Sequence, residues 1–293
     1  MRRIAEEAAD PETRRLLAEI RQALGLPALT VFYPALAAYP QFLQLHWKVT
    51  GPVLSTGNFF ACGDRLRADG YTRAHNYLRI PDLCARLEES SLSAAARREL
   101  ASTLDLFHYC NPLLLLLFAA QIQALEGPIG ESEEIVRRPP LPIFSERPLF
   151  IIEENASVQV RRRYDEIRRV LDLPYVNPEF EAMARYPDFL QLYWELLKTF
   201  VRSPVYQQAE YGIRDSAWQL ARELPGPLEL SVDQLLEAGM KEEDISSVAR
   251  ILDLFVRNLS GMVINVAIAK IALEGGNITA SSDGDKPSNE QVA

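Results

Sequence analysis

The sequence predicts an all-α protein built from two tandem helical repeats that pack together as an intramolecular pseudo-dimer. The first observation is an internal repeat: residues 39–47, Tyr-Pro-Gln-Phe-Leu-Gln-Leu-His-Trp, return 147 positions later as residues 186–194 with seven of nine residues identical. The second is that apolar residues recur at helical spacing, as in residues 14–24. The third is the scarcity of the strict alternation of apolar and polar residues that is typical of β-strands.

Further matches extend the repeat to the whole chain. Residues 14–21 resemble residues 161–168 at the same offset, and two later matches follow at an offset of 148: residues 104–107 with 252–255, and 124–127 with 272–275. A period this long exceeds the roughly 20–50 residues of a solenoid unit. We therefore predict a first repeat over residues 1–126, a proline-rich linker over 127–157, a second repeat over 158–276 and a disordered tail over 277–293.

Local signals predict where individual helices begin and end. Prolines suit the first turn of a helix, where a missing N–H is harmless, and serines suit the N-cap. The predicted starts are Pro40, Pro187, Ser93 and Ser231, the last as part of a capping box. One or two long helices are expected over residues 242–273, ending at the glycines that follow, and a helix break is expected at Asn111-Pro112.

Composition excludes several classes of protein. The net charge of −9 argues against a nucleic-acid partner, which would require a basic surface. The apolar run 113–118 is too short for a membrane helix of about 20 residues, so we expect a buried helix and no membrane partner. The N-terminus lacks a secretory signal, and the three cysteines show no pairing pattern, so a cytoplasmic location is expected.

Common catalytic motifs are absent from the sequence. No phosphate-binding loop, dinucleotide-binding glycine motif, zinc-protease motif or serine-nucleophile motif occurs. The three histidines, all in the first half, have no i, i+4 pairing, so no metal site is predicted.

Asp188 is the first candidate for chemistry because its counterpart in the first repeat is the neutral Gln41. A first-turn acid can simply complement the helix dipole, with a contribution of about 0.3–1 kcal/mol. The same position also favours the ionised carboxylate, which would keep Asp188 available as a base at neutral pH.

Asn111 is the second candidate, and it too belongs to one half only, since its counterpart is Leu259. It can serve as an N-cap before Pro112. Alternatively, its amide can hold a water molecule against a carboxylate, because it donates and accepts hydrogen bonds at once. A carboxylate from one half and an amide from the other would then form a water site between the halves.

The duplicated architecture, the segment Tyr-Pro-Asp-Phe-Leu-Gln-Leu-Tyr-Trp at 186–194 and the Asn111-Pro112 pair resemble the group I (DehI-type) 2-haloacid dehalogenases over about residues 10–275. That resemblance implies an all-helical pseudo-dimer with its active site between the repeats and no metal or organic cofactor. It implies a short halogenated carboxylic acid as substrate and direct displacement of halide, with inversion, by a water that an aspartate activates. The catalytic aspartate of the family corresponds to Asp188 and its water-positioning asparagine to Asn111.

The remaining expectations concern the pocket and the alternatives. Candidates for the substrate-binding wall are Tyr33, Phe107, Tyr109, Pro187 and Tyr193. Internal symmetry allows a homodimer without requiring one. Two other functions stay open at this point: a non-catalytic helical scaffold that binds a small carboxylate or a protein partner, and a hydrolase of another small acid on the same fold.

Overall fold

The computed structural model describes residue 4 and residues 6–88, 92–132, 134–144 and 147–278. Within these ranges the protein is all-α, and pairing between extended segments is limited to three isolated bridges. The predicted fold class is therefore confirmed in its coarse form.

The described residues form twelve α-helices, six before residue 127 and six after residue 157. The first six are α1 (Pro11–Leu24), α2 (Phe32–Leu36), α3 (Pro40–Leu54), α4 (Gly57–Tyr77), α5 (Cys84–Glu88) and α6 (Ala94–Glu126). The second six are α7 (Val158–Leu171), α8 (Pro178–Met183), α9 (Pro187–Phe200), α10 (Pro204–Arg222), α11 (Val232–Glu237) and α12 (Glu242–Leu273).

Several predicted helix boundaries are confirmed. Helices α3 and α9 begin at Pro40 and Pro187. The Ser93 hydroxyl accepts a hydrogen bond from the Ala96 N–H at 3.1 Å, which caps α6. Ser231 and Gln234 form the capping box of α11, with both reciprocal hydrogen bonds at 3.2 Å.

The predicted break at Asn111-Pro112 is wrong, because α6 runs through both residues as one helix of 33 residues. A proline inside a helix removes one backbone hydrogen bond and crowds the preceding turn. Here the surrounding segment, residues 109–121, is buried throughout, so packing outweighs that local cost. Asn111 is consequently not an N-cap but a mid-helix residue.

Helices α6 and α12 are the central elements of the core and pack against each other, with α4 and α10 beside them. By length and composition either could span a membrane, but 83% and 67% of their most apolar windows are buried inside the protein. This burial is typical of the central helices of a globular fold.

Aromatic contacts join residues far apart in the sequence at the centre of this core. The Phe32 ring lies 4.8 Å from that of Phe255 and 5.8 Å from that of Phe118, and the last two are 5.4 Å apart. Contacts of this kind contribute about 0.5–1.5 kcal/mol each beyond the burial of their area. The first and second sets of six helices therefore share one hydrophobic core.

The described residues of 127–152 form no helix and cross the surface of both sets of helices. We call this stretch the connecting segment. Near its start, Ile129 pairs with Leu228 through two backbone hydrogen bonds of 3.0 and 2.7 Å. Further on, the Phe144 ring lies 5.3 Å from that of Tyr109 on α6.

The chain is ordered slightly beyond the predicted end of the second repeat. Gly276 has φ +73°, and a Cβ there would lie 2.6 Å from the backbone oxygen of Ile80, so only glycine fits. The Asn277 side chain then accepts a hydrogen bond from the Ile80 N–H at 2.7 Å and donates to the Leu78 carbonyl at 2.7 Å. Residues 277 and 278 thus correct the predicted start of the tail, and residues 279–293 lie outside the described residues.

Candidate active site

Asp188 lies in the first turn of α9, and its side chain is exposed. Its neighbours Tyr186, Phe189 and Leu190 face the core, so the helix turns Asp188 and Pro187 toward solvent. The structure therefore places the Asp188 carboxylate at the protein surface.

Asn111 is buried at the midpoint of α6 with only 1% of its surface exposed. Its Oδ1 accepts a weak hydrogen bond from the Cys110 thiol at 3.5 Å. Its Nδ2 is buried and has no hydrogen-bond partner among the described residues. A buried donor without a partner costs about 1–3 kcal/mol, and an acceptor on a bound water or ligand would remove that cost.

A second buried polar group, which the sequence analysis missed, is the carboxyl group of Glu179. It lies in the first turn of α8, which packs against α6, and its residue is completely buried. Neither carboxyl oxygen has a hydrogen-bond partner within the described part of the chain. Burial raises the pKa of Glu179 from 4.5 to about 8.

Asn177, immediately before α8, adds another unsatisfied group. It is 2% exposed, and its buried Oδ1 also lacks a partner among described residues. The Asn177 side chain lowers the pKa of Glu179 and so offsets part of the increase that burial causes. The two side chains nevertheless do not form a hydrogen bond with good geometry. The start of α8 therefore combines a carboxylate with an amide, both shielded from solvent.

The surroundings of Glu179 are supplied mainly by the second set of helices. The Tyr193 hydroxyl donates to the Asn265 carbonyl at 2.7 Å, and the Tyr206 hydroxyl donates to the Asn265 side-chain oxygen at 2.7 Å. Burial raises the pKa of both tyrosines, and the nearby Glu179 charge raises them further. Both phenols therefore stay neutral, and their hydroxyl hydrogens are already engaged by Asn265.

The first set of helices approaches the same carboxylate through Cys110, which precedes Asn111. Burial raises the pKa of the Cys110 thiol, and the charge of Glu179 is the next largest cause. Helix α8, which carries Glu179, packs against α6, which carries Cys110 and Asn111. A carboxylate from α8 and an amide from α6 can together bind water, and the carboxylate can accept its proton.

Cys110 also lines a small apolar pocket together with Phe107 and Leu114 on α6. The remaining lining residues are Leu26, Pro27, Ala28, Thr30, Leu106, Pro148 and Phe150. Its free volume is about 10 Å³, close to what one water molecule requires. A ligand larger than one water molecule would therefore have to widen this pocket to enter it.

The other predicted wall residues fall into different surroundings. Tyr193 is buried against Phe180 and Phe189, and Phe107 lines the apolar pocket. Tyr109 instead points to the end of α1, where its hydroxyl donates to the Leu24 carbonyl at 3.0 Å. Pro187 is exposed with Asp188.

Tyr33 belongs to a separate buried polar cluster. Its hydroxyl lies 3.4 Å from Nε2 of His46, whose Nδ1 is hydrogen-bonded to the Gln121 amide. Burial lowers the pKa of His46 to about 3, so the ring is neutral at physiological pH. The cluster is polar but carries no charge.

The sequence did contain a signal for Glu179. At the offset of 147 its counterpart is Phe32, so this position also carries a charge in one half and none in the other. What the sequence could not reveal is burial, which separates Glu179 from the exposed Asp188. Within the described ranges, no group of three or more His, Cys, Asp or Glu residues is arranged to hold a metal ion.

Comparison with known proteins gives consistent matches. The chain is 28% identical to an (R)-2-haloacid dehalogenase of Pseudomonas putida over 272 residues, which cover 91% of this chain and 90% of that protein. It is 24% identical to a configuration-inverting 2-haloacid dehalogenase of Alcaligenes xylosoxydans xylosoxydans over 276 residues, or 90% of each chain.

Solved structures agree with these relatives. A complex of D-2-haloacid dehalogenase with L-LA superposes with a TM-score of 0.89 at 27% sequence identity, covering 93% of this chain and 96% of that one. The family model described as halocarboxylic acid dehydrogenase DehI matches residues 27–179, slightly more than half of the chain and a span that includes both Asn111 and Glu179. The chain therefore belongs to the DehI family.

Proposed function

We propose that this protein is a 2-haloacid dehalogenase that converts a short 2-haloalkanoic acid and water into the 2-hydroxy acid, halide and a proton. One observation carries the proposal: in a chain of the DehI family, the Glu179 carboxyl oxygens and the Asn111 Nδ2 lie on two helices that pack together, and these atoms are buried without hydrogen-bond partners among the described residues. The names of the relatives, all 2-haloacid dehalogenases, support the substrate class.

We assign the general base to Glu179 and the positioning of water to Asn111. The Asn111 amide holds the water, and the ionised Glu179 takes its proton as the oxygen attacks C2 from the side opposite the halogen. The carbon–oxygen bond forms as the carbon–halogen bond breaks, and the bonding electrons leave with the halide. The configuration at C2 is thereby inverted, and no bond forms between substrate and protein.

The environment of Glu179 suits this task. Its raised pKa makes it a stronger base once it is ionised, and a base of matched pKa contributes about 10²–10⁴-fold to a rate. The apolar lining that Phe107, Leu114 and Cys110 provide would keep other water molecules away from the reacting carbon.

Asp188, the base that the sequence suggested, stays an alternative assignment. Its exposure argues against it because an exposed carboxylate cannot hold a single water in an enclosed site. Glu179→Gln and Asp188→Asn are matched isosteric changes that distinguish the two. We expect Glu179→Gln to abolish halide release and Asp188→Asn to retain it, and the opposite result would restore Asp188 as the base.

We also propose that the two sets of helices are tandem repeats related as a pseudo-dimer. Support comes from the helix starts: α1 and α7, α3 and α9, and α4 and α10 each begin 147 residues apart. Equivalent ring pairs add support. Phe42 stacks on His46 at 6.1 Å with planes 10° apart, and Phe189 stacks on Tyr193 at 5.8 Å with planes 4° apart. The repeat bounds, the cytoplasmic location and a homodimer remain predictions.

The experiment that tests the function is halide release from each enantiomer of 2-chloropropionate, with chiral analysis of the lactate formed. Release with inversion is expected for at least one enantiomer. Folded protein that releases no halide from either enantiomer would favour the scaffold alternative. Activity on another small acid alone would favour the alternative hydrolase.

A further inference from the structure

A larger cleft opens on the surface next to the apolar pocket. It lies between the first half of α6, the end of α8 and the connecting segment, and its volume is about 270 Å³. Its lining residues are Arg98, Glu99, Ser102, Thr103, Leu106, Phe144, Arg147, Pro148, Leu149, Ala182, Arg185 and Tyr186.

The cleft is positively charged although the whole protein carries a net charge of −9. Three arginines and one glutamate line it. Arg185 is neutralised by Glu99, to which it forms a 3.0 Å ion pair. Neither Arg98 nor Arg147 forms an ion pair with any carboxylate in the described part of the chain. Two guanidinium groups are therefore available to an anion.

The cleft lies beside the apolar pocket. Leu106 and Pro148 line both the cleft and the apolar pocket, and Cys110, one helical turn after Leu106, also lines that pocket. Ala182 of the cleft lies on α8, three residues after Glu179. The cleft that holds the two arginines thus adjoins the apolar pocket, and both are lined by residues of α6, the helix that carries Asn111.

We infer that Arg98 and Arg147 form an entry site for the carboxylate of the haloacid substrate, an inference that rests on the proposed function. A 2-haloalkanoate is an anion at neutral pH and is repelled by the net charge of this protein. A local pair of cations in a cleft focuses the field and raises the concentration of an anionic substrate at the entrance. Once widened, the adjoining apolar pocket then accommodates the halogen-bearing carbon.

The test is a set of glutamine variants, Arg98→Gln, Arg147→Gln and the double variant, with Arg161→Gln on the exposed surface of α7 as matched control. Halide release from 2-chloropropionate is measured over a range of substrate and salt concentrations. For the double variant we expect KM to rise about tenfold with kcat within about twofold, as loss of steering predicts. The control should keep the KM of the unmodified protein.

The salt dependence of kcat/KM distinguishes a role of the two arginines in substrate entry from a purely structural role. In the unmodified protein, added salt should lower kcat/KM because it screens the arginines, and in the double variant this dependence should largely disappear. Arg147→Glu should raise KM further than Arg147→Gln. Unchanged KM and unchanged salt dependence in the double variant would overturn the entry site, whereas absence of halide release from the unmodified protein would overturn the proposed function instead.

Discussion

Glu179→Gln should stabilise the protein while it removes activity. The unmodified chain buries a carboxyl group without hydrogen-bond partners, and that group must lose its proton to act as a base. Glutamine has nearly the same shape and cannot ionise, so the change isolates the free-energy cost of the charge. Stability lost in favour of function is expected at active sites.

The size of the effect follows from the pKa. Burial raises the pKa of Glu179 from 4.5 to about 8, so the folded chain binds this proton more tightly than the unfolded chain. Stability is therefore lost as the pH rises from 4.5, and the loss is complete above about pH 8. Since one pKa unit corresponds to about 1.4 kcal/mol, the cost is about 3 kcal/mol at pH 7 and about 5 kcal/mol above pH 9.

Urea unfolding of the unmodified protein and of the Glu179→Gln variant at a series of pH values measures the difference between their free energies of unfolding. We expect the two free energies of unfolding to converge near pH 4.5 and the variant to become the more stable protein as the pH rises. Asp188→Asn is the matched control because it removes an exposed carboxylate of similar chemistry. A Glu179→Gln protein that gains no stability between pH 5 and about pH 9 would refute the assignment of a buried, destabilising carboxyl group.

Three further predictions concern the candidate site and the glycine that follows α12. The value of kcat/KM should rise about tenfold per pH unit below the pKa of Glu179 and level off above about pH 8, because only the ionised carboxylate accepts a proton. A pH profile of halide release measures this rise. Activity that falls over the same pH range would contradict the prediction. Asn111→Leu should lower kcat by about 10²-fold or more with the helical circular dichroism spectrum retained, since it removes the group that positions the water; an unchanged kcat would exclude that role. Gly276→Ala should lower the thermal unfolding temperature and reduce the free energy of unfolding by more than about 1 kcal/mol, because the positive φ and the Ile80 carbonyl leave no room for a Cβ. Gly239→Ala is the control for backbone strain alone, since a Cβ at Gly239 has open space around it.

The helix starts were predicted well from the sequence because they depend on interactions between residues close together in the chain. Pro40, Pro187, Ser93 and Ser231 mark helix starts because capping and the missing proline N–H act within one turn. The continuation of α6 through Pro112 could not be predicted in this way. There, the burial of a long stretch of neighbouring side chains outweighs a local signal to end the helix.

For the candidate site, comparison of the two halves directed attention to polar residues without a polar counterpart. Asn111 was selected in this way, and the structure shows that it is buried. The same comparison selected Asp188. The sequence alone could not show that Asp188 is exposed and Glu179 buried, because exposure depends on which face of each helix packs against the core. Asp188 follows Pro187 on the outer face of α9, whereas Glu179 follows Pro178 on the inner face of α8.

The connecting segment has a consequence for how relatives of this protein can diverge. Phe144, Arg147, Pro148 and Phe150 come from a stretch without helical hydrogen bonds, yet they form walls of the cleft and of the apolar pocket. Replacements or insertions there would alter the width and charge of the opening without repacking α6 or α12, since loops tolerate such changes better than packed helices. Acids of different length could thus be accommodated by exchanging one loop while the proposed pair, Glu179 and Asn111, stays in place.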